Sequence, residues 1–298
     1  MRRTKQDILR DRIPIAYKLL EACSLCPRLC GVNRLAGQIG FCRSGLKPKV
    51  ASAYVHPWEE PPLSGERGSG NIFFSNCTQR CIFCQNYPIS QLGVGREIEI
   101  EELAQMMLSL QAKKVHNINL VTATHFIPQI LKALELAIQK GFNLPLVYNC
   151  GGYEKVETMR LLEGIIDVYL PDAKYGDDEK ALAYSGSPHY TAINMAAIKE
   201  MYRQVGNLSL AEDGIARRGL IVRHLVLPEM VSGTEYVLKR LSDEISPDLY
   251  LSLMSQYFPA HLAKANPPLD RRLTPSEYQH ALQLCTRLGL DNGWIQEL

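Results

Sequence analysis

The sequence NIFFSNCTQRCIFC occupies residues 71–84 and places three cysteines, Cys77, Cys81 and Cys84, shortly after an apolar segment. Residues 71–74 predict a β-strand, and the cysteines follow it with C-x3-C-x2-C spacing. Three thiolates on one short loop can each bind one iron of a cubane cluster, which leaves the fourth iron without a protein ligand. A structural zinc site needs four ligands, so the triad favours a [4Fe–4S] cluster with an open position over a zinc knuckle or buried free thiols.

The residues after this loop alternate between helical and strand-like segments. Six short apolar segments predict strands, at residues 71–74, 117–121, 144–148, 165–170, 220–227 and 249–254. Helices are predicted at residues 101–114, 127–140, 154–162, 189–206, 231–245 and 275–288. Strands that alternate with helices form a parallel sheet, which is either open or closed into a barrel. The sequence therefore predicts an α/β fold.

The first part of the chain differs in composition from the rest. Residues 23–95 are rich in Cys, Gly and Pro and poor in long periodic runs. We therefore divide the chain into a Cys-rich N-terminal extension, residues 1–68, and a barrel with a C-terminal helix, residues 69–298. The core of the barrel is expected to begin after residue 70.

Charge and hydropathy exclude several classes of partner. The chain has 33 Lys and Arg against 31 Asp and Glu, a net charge of +2, which gives no electrostatic footprint for nucleic acid or anionic lipid. No apolar run approaches the ~20 residues that span a bilayer, and residues 1–10 are too charged for a signal peptide. We expect a cytoplasmic protein without membrane or nucleic-acid partners, in which clustered cysteines bind metal rather than form disulfides.

Several short motifs outside the triad resemble those of one enzyme family. They are His56-Pro57-Trp58-Glu59-Glu60-Pro61, Ser64-Gly65, Gly68-Ser69-Gly70, Gln85-Asn86-Tyr87 and Ser255-Gln256-Tyr257. Together with the cysteines they make the chain resemble the radical S-adenosylmethionine (SAM) superfamily, and within it the group of predicted pyruvate formate-lyase activating enzymes. The resemblance implies a partial (β/α)6 barrel of the TIM type, with the cluster loop after its first strand. It also implies that SAM chelates the open iron and is cleaved reductively to a 5′-deoxyadenosyl radical, which abstracts hydrogen from a substrate.

Polar side chains accumulate where the predicted strands end, and in a barrel of this kind the chemistry gathers at those ends. The candidates for SAM binding are Thr122, Thr124, Asn149, Asp172, Lys174, Arg223 and Gln256. The resemblance implies that Lys174 contacts the SAM carboxylate and that Arg223 lies near the methionyl group. It also implies that Asn149 takes the place of the Thr or Ser in a Thr/Ser-Asn-Gly turn of the family. Relatives bind the amine with Gly-Gly-Glu, whereas this chain has Thr122-Ala123-Thr124 at that place. Alternatively, Lys174 and Arg223 serve only in structural ion pairs, Lys174 with Asp172.

A second group of cysteines precedes the triad. Cys23, Cys26, Cys30 and Cys42 follow C-x2-C-x3-C-x11-C spacing, and four thiolates are enough to close a metal site. Zinc and a fully ligated [4Fe–4S] cluster both fit this set, and either would help to fold a segment with little core of its own. Four free thiols are the remaining alternative.

The leading functional prediction is a SAM-dependent oxidoreductase that generates a radical on its substrate. The family resemblance implies a flavodoxin- or ferredoxin-like electron donor, and it suggests a glycyl radical enzyme as the substrate. Radical modification of a small molecule or peptide is the second enzymatic alternative. A non-enzymatic iron–sulfur or zinc protein, for electron transfer or scaffolding, is an alternative of another class.

Overall fold

The computed structural model describes residues 3–296 of the 298 in the chain, so the outer ends of both predicted regions, at residues 1 and 298, lie outside the described residues. The strands described are β1 Lys49–His56, β2 Ser69–Phe74, β3 Arg96–Glu97, β4 Ile118–Val121, β5 Leu146–Cys150, β6 Val168–Pro171, β7 Ser209–Leu210, β8 Ala216–Leu225, β9 Tyr250–Met254 and β10 Gly293–Ile295. The α-helices described are α1 Lys5–Lys18, α2 Pro61–Ser64, α3 Tyr87–Ser90, α4 Ile100–Ala112, α5 Ile127–Gln139, α6 Val156–Arg160, α7 Asp178–Ser185, α8 Tyr190–Val205, α9 Thr234–Glu244 and α10 Pro275–Arg287.

The strands form one sheet in the order β10-β9-β8-β6-β5-β4-β2-β1-β3, with β7 paired to β8. Every pair from β2 to β10 along this order is parallel, whereas β1 runs antiparallel to β2 and to β3. Within the described residues β3 and β10 lie at opposite ends of the order, so the sheet is not closed. The predicted α/β fold with a partial TIM-type barrel is confirmed.

All six predicted strands and all six predicted helices are present, with ends that shift by a few residues. β5 ends at Cys150 rather than at Tyr148, because Asn149 and Cys150 continue the ladder opposite Leu170 and Pro171 of β6. The sequence analysis missed α1, β1 and α7, and the short strands β3, β7 and β10.

The main core lies between the sheet and its helices, and it includes residues from the N-terminal region. Leu9 and Ala16 of α1 and Val50 of β1 belong to the same buried cluster as the barrel strands. The prediction that the core begins after residue 70 is therefore wrong. The reason is that β1 pairs along the length of β2 and α1 packs on α5.

The loop after β1 closes the end of the barrel remote from the cysteine triad. Because β1 and β2 are antiparallel, His56 pairs with Ser69 at the start of β2, and the loop leaves from there. Glu59 in this loop accepts hydrogen bonds from the side chains of Asn71 (2.9 Å) and Asn119 (2.7 Å) on two adjacent strands. The carboxylate of Glu59 thus occupies the interior of the barrel at the end opposite the cysteine triad.

Within residues 3–296, none of the helices has the length and the apolar composition needed to cross a membrane.

Candidate functional site

A cavity of about 220 Å³ lies at the carboxyl ends of the barrel strands. Its wall brings together the three cysteines of the triad and most of the predicted SAM-binding residues. The predicted residues that line it are Cys77, Cys81, Cys84, Thr122, Asn149, Asp172, Lys174, Arg223 and Gln256. Of the predicted set, Thr124 alone does not line the cavity.

The cysteine loop leaves β2 through a residue in the left-handed region. Asn76 has φ of 71°, which turns the chain so that Cys77 follows on the cavity side. The Asn76 side chain donates a 3.1 Å hydrogen bond to Ser44, which ties this turn to the N-terminal segment. At the other end of the loop, Sγ of Cys84 lies 3.1 Å from Oγ of Ser90. Both ends of the loop are therefore anchored.

The end of helix α7 supports the middle of the loop. Backbone N–H groups of Arg80 and Ile82 donate to the carbonyl oxygens of Ser185 (3.0 Å) and Tyr184 (2.9 Å). The hydroxyl of Ser185 also donates to Sγ of Cys81 at 2.9 Å. This helix was absent from the sequence prediction, yet it fixes the position of a cysteine of the triad.

The donor set of the cavity fits a [4Fe–4S] cluster. Burial raises the pKa of Cys77, and it raises the pKa of Cys81 to about 11, so these thiols release protons when they bind metal. In a cubane each thiolate binds a different iron. The three thiols line the same cavity, so together they can supply ligands to three of the four irons.

Three charged side chains form a compact group beside the triad. Oδ1 of Asp172 accepts a 2.8 Å hydrogen bond from Nε of Arg223, and its Oδ2 is in contact with Nζ of Lys174. Burial alone would raise the pKa of Asp172, but Arg223 and Lys174 hold it below its ordinary value. Burial alone would lower the pKa of Lys174, but Asp172 and Cys81 raise it. All three side chains are therefore charged at neutral pH.

Two further residues shape the wall next to Arg223. Nη2 of Arg223 donates a 2.6 Å hydrogen bond to Oδ1 of Asn149. Thr122 has φ of 60°, a conformation that is unfavourable for a β-branched side chain, and its N–H donates to the Asn149 carbonyl at 2.9 Å. The backbone at Thr122 therefore has a conformation that suits glycine, although the residue is threonine.

Thr124 and Gln256 occupy different environments. Thr124 is buried and donates a 2.8 Å hydrogen bond to Glu154, behind the cavity wall rather than in it. Gln256 lines the cavity, and its backbone carbonyl accepts a 3.0 Å hydrogen bond from Gln85, which follows the triad. Gln256 therefore connects the end of β9 to the cysteine loop.

Glu59 is a site residue that the sequence analysis did not single out. Its Oε1 lies 3.5 Å from Nη1 of Arg223, so it extends the charged group into the barrel interior. The sequence contains Glu59 in the motif His56–Pro61, which supports the family resemblance but assigns no function to Glu59. Only the antiparallel path of β1 shows that this motif points into the barrel.

The second cysteine group packs against the cysteine loop of the triad. Cys23, Cys26 and Cys42 are buried, Cys30 is partly buried, and all four are free thiols. Arg28, between two of these cysteines, donates to the carbonyl of Thr78 at 2.8 Å. In the opposite direction, Arg80 of the triad loop donates to the carbonyl of Phe41 at 2.9 Å. The segments that carry the two groups of cysteines are therefore hydrogen-bonded to each other.

Two comparisons of the sequence with known proteins give a match. A sequence model described as the radical SAM superfamily matches residues 71–209. An uncharacterized protein of Methanocaldococcus jannaschii is 32% identical over 297 residues, which cover 96% of this chain and 81% of that protein.

Solved structures were also compared with this chain, and one of them shows a similar fold with a TM-score above 0.5. The crystal structure of a radical SAM methyltransferase from Sphaerobacter thermophilus aligns with a TM-score of 0.52 and 11% identity, over 76% of this chain and 65% of that one. Methylornithine synthase aligns with a TM-score of 0.49 and 13% identity, over 73% of this chain and 62% of that one.

Proposed function

Because the chain belongs to the radical SAM superfamily, we propose that it binds a [4Fe–4S] cluster on Cys77, Cys81 and Cys84 and uses SAM for radical chemistry. The observation that carries this proposal is the shared cavity, in which the three thiols face Asp172, Lys174 and Arg223 at the carboxyl ends of the strands. When bound, the cluster and SAM supply a 5′-deoxyadenosyl radical by reductive cleavage of the sulfonium.

The residues of this chain bind and orient the zwitterionic end of SAM. Lys174 donates to the SAM carboxylate, in a contact that strengthens because the surrounding wall excludes water. Arg223 is held by Asp172 and Asn149, so it presents a fixed positive charge to the same carboxylate. The carbonyl and hydroxyl oxygens near Thr122 are the acceptors nearest in sequence to the position of the relatives' Gly-Gly-Glu motif, and we assign the SAM amine to them.

The substrate we favour is a glycyl radical enzyme, with a flavodoxin- or ferredoxin-like electron donor, which makes the protein an oxidoreductase. The motif resemblance to activating enzymes supports this choice. Exposed apolar side chains near the cavity wall also support a macromolecular partner: Leu92 follows the lining residue Gln91, and Phe258 lies two residues after Gln256. A low-potential cluster and nine free thiols require a reducing compartment, so we place the protein in the cytoplasm.

The test is anaerobic reconstitution followed by reduction and incubation with SAM. We expect 5′-deoxyadenosine and methionine from the wild type, and neither product from the Cys77→Ala/Cys81→Ala/Cys84→Ala variant, which also loses about four of its irons. The matched control is Cys285→Ala, at a free cysteine on α10 that does not line the cavity. Product formation by the triple variant contradicts the proposal.

Electron transfer without catalysis is the second candidate function. It is disfavoured by the cavity wall, because an electron carrier does not need Lys174, Asn149 and Arg223 arranged around a space large enough for a small molecule. Saturable SAM binding to the reconstituted protein separates the two functions, since a simple carrier has no affinity for SAM.

A further inference from the structure

The second cysteine group lies in a segment that contains no helix or strand, residues 19–48. Cys23, Cys26 and Cys42 are buried, and Cys30 is partly buried. Sγ of Cys30 lies 4.0 Å from the carbonyl oxygen of Cys23. Three of the four thiols are therefore withdrawn from solvent, and the fourth lies against the backbone of Cys23.

Arg34 is a buried cation next to these thiols. It is 0% exposed, and its guanidinium donates to the carbonyl oxygens of Gly45 (2.6 Å) and His125 (2.7 Å). Throughout residues 3–296, no carboxylate lies within ion-pair distance of it. A buried guanidinium without a counter-ion is strongly destabilising. Arg34 lies close enough to Cys23 to stabilise its thiolate by charge.

Arg28, which lies between Cys26 and Cys30 in the sequence, is a second cation of this segment and is partly buried. Its guanidinium lies 3.9 Å from the ring centroid of Phe41 and 5.1 Å from that of Tyr153. Its Nη2 atom is buried without a hydrogen-bond partner in the described chain, and its other donors bind only backbone carbonyls. Arg28 interacts with Cys26 and also with Cys77 and Cys81 of the triad, and neither arginine has an acidic side chain as its partner.

We propose that Cys23, Cys26, Cys30 and Cys42 bind a second [4Fe–4S] cluster, ligated by all four thiolates. An oxidised cluster of this kind carries two negative charges, because four thiolates surround a core of charge 2+. Arg34 and Arg28 match that charge. This site is additional to the cavity, and it does not depend on the identity of the substrate.

Zinc in a four-thiolate site carries the same net charge, so the two arginines would stabilise either metal. Metal and sulfide analysis distinguishes the two, because only the cluster contains inorganic sulfide.

The contacts between the two cysteine loops place the second cluster beside the first. Arg28 donates to Thr78 of the triad loop, and Arg80 of that loop donates to Phe41, which precedes Cys42. Both guanidinium groups also lie over the ring of Phe41. Two clusters in adjoining loops are close enough for their unpaired spins to interact when both are reduced.

The first experiment measures metal and sulfide in the anaerobically reconstituted protein. We expect about eight irons and eight sulfides per wild-type chain, and about four of each in the Cys77→Ala/Cys81→Ala/Cys84→Ala variant. The wild type should show a broadened electron paramagnetic resonance spectrum on full reduction, and this variant a simple one. One zinc with about four irons in the wild type overturns the cluster assignment. About four irons without zinc overturns the site itself.

The second experiment tests the role of Arg34 and leaves the cysteines intact. Arg34→Met removes a positive charge next to the site, so it disfavours the more negative reduced state. We expect the midpoint potential of the second cluster to shift to a more negative value, with that of the Cys77 cluster unchanged. Arg34→Lys, which keeps the charge, is the control and should restore the potential. An equal shift at both clusters, or at neither, contradicts the assignment of Arg34, and the iron content of the triple variant tests the site even where Arg34→Met does not fold.

Discussion

Nε of Arg223 donates a 2.8 Å hydrogen bond to Oδ1 of Asp172, and this contact joins the ends of β8 and β6 at the wall of the cavity. Asp172 also binds Lys174, so one carboxylate holds two cations. The alternative of an ion pair, raised from the sequence alone, therefore describes part of the structure. The question for function is whether Lys174 also meets the carboxylate of SAM.

Lys174→Ala tests the binding role of this lysine. The substitution removes a charge-assisted hydrogen bond to the SAM carboxylate, worth about 1.5–3 kcal/mol. We expect the dissociation constant for SAM to rise roughly tenfold to a hundredfold, while the iron content and cluster spectrum stay unchanged. Equilibrium binding of SAM to the reconstituted protein measures this dissociation constant. Lys180→Ala, at an exposed position on α7, is the control. Unchanged affinity in Lys174→Ala restricts Lys174 to its ion pair with Asp172.

Glu59→Ala tests the polar interior of the barrel. The substitution leaves the side-chain amides of Asn71 and Asn119 without their acceptor and Arg223 without one of its carboxylates. We expect the free energy of unfolding to fall by about 2–5 kcal/mol in chemical denaturation. Glu66→Ala, at an exposed position in the same loop, should change it little. Equal effects of the two substitutions would show that Glu59 is not a structural acceptor.

The sequence predicted the barrel well because its strands and helices bury continuous apolar faces. It missed α1 because that helix buries only Leu9 and Ala16 fully and contains Pro14, so its apolar periodicity is weak. It missed β1 because residues 49–56 lie in the region that composition marked as irregular.

The site was predictable to the extent that it consists of strand ends. Asn149, Asp172 and Arg223 each lie at or near such an end, and the parallel sheet brings them together. Thr124 was misplaced because the chain turns at Thr122 and continues into a short 3₁₀ helix, which carries Thr124 behind the wall. Glu59 could not be found, because it reaches the barrel from a loop distant in sequence.

Glu154 makes the free energy of unfolding depend on pH, and the sign of this dependence follows from its pKa. Burial raises its pKa to about 7, against an ordinary value near 4.5, although hydrogen bonds from Thr124 and Tyr148 oppose the rise. The folded protein therefore binds an extra proton between these values, so its free energy of unfolding falls as pH rises from about 4.5 to 7. We expect Glu154→Gln to lack this fall in the free energy of unfolding, because glutamine does not titrate.

The measurement is denaturation of the wild type and Glu154→Gln at pH 5 and pH 8. We expect the variant to gain up to about 3 kcal/mol relative to the wild type between the two pH values. Glu157→Gln, at an exposed position on α6, should show no such change. A constant difference between Glu154→Gln and the wild type would mean that Glu154 keeps the same protonation in both states.

The Cys23→Ala/Cys26→Ala variant tests how far the N-terminal segment depends on bound metal. Metal binding in such sites contributes on the order of 10 kcal/mol, comparable to the stability of a domain. We expect rapid proteolysis within residues 19–48, mapped by mass spectrometry. α1 and β1 should resist, because Leu9 and Val50 are anchored in the main core. Cleavage at the wild-type rate would show that the thiols do not organise this segment, and parallel loss of β2 would show that the barrel depends on it.

The long-range contacts of the N-terminal segment also constrain how the protein matures. Arg34 bonds to the carbonyl of His125, 91 residues later, and Arg28 bonds to that of Gly186, 158 residues later. A ribosome adds about 5–20 residues per second, so these partners emerge on the order of 10 s after the arginines. During that interval the first four cysteines are exposed on the nascent chain. Their final environment therefore forms only after the middle of the barrel has been synthesised, and we expect any metal to enter this segment no earlier.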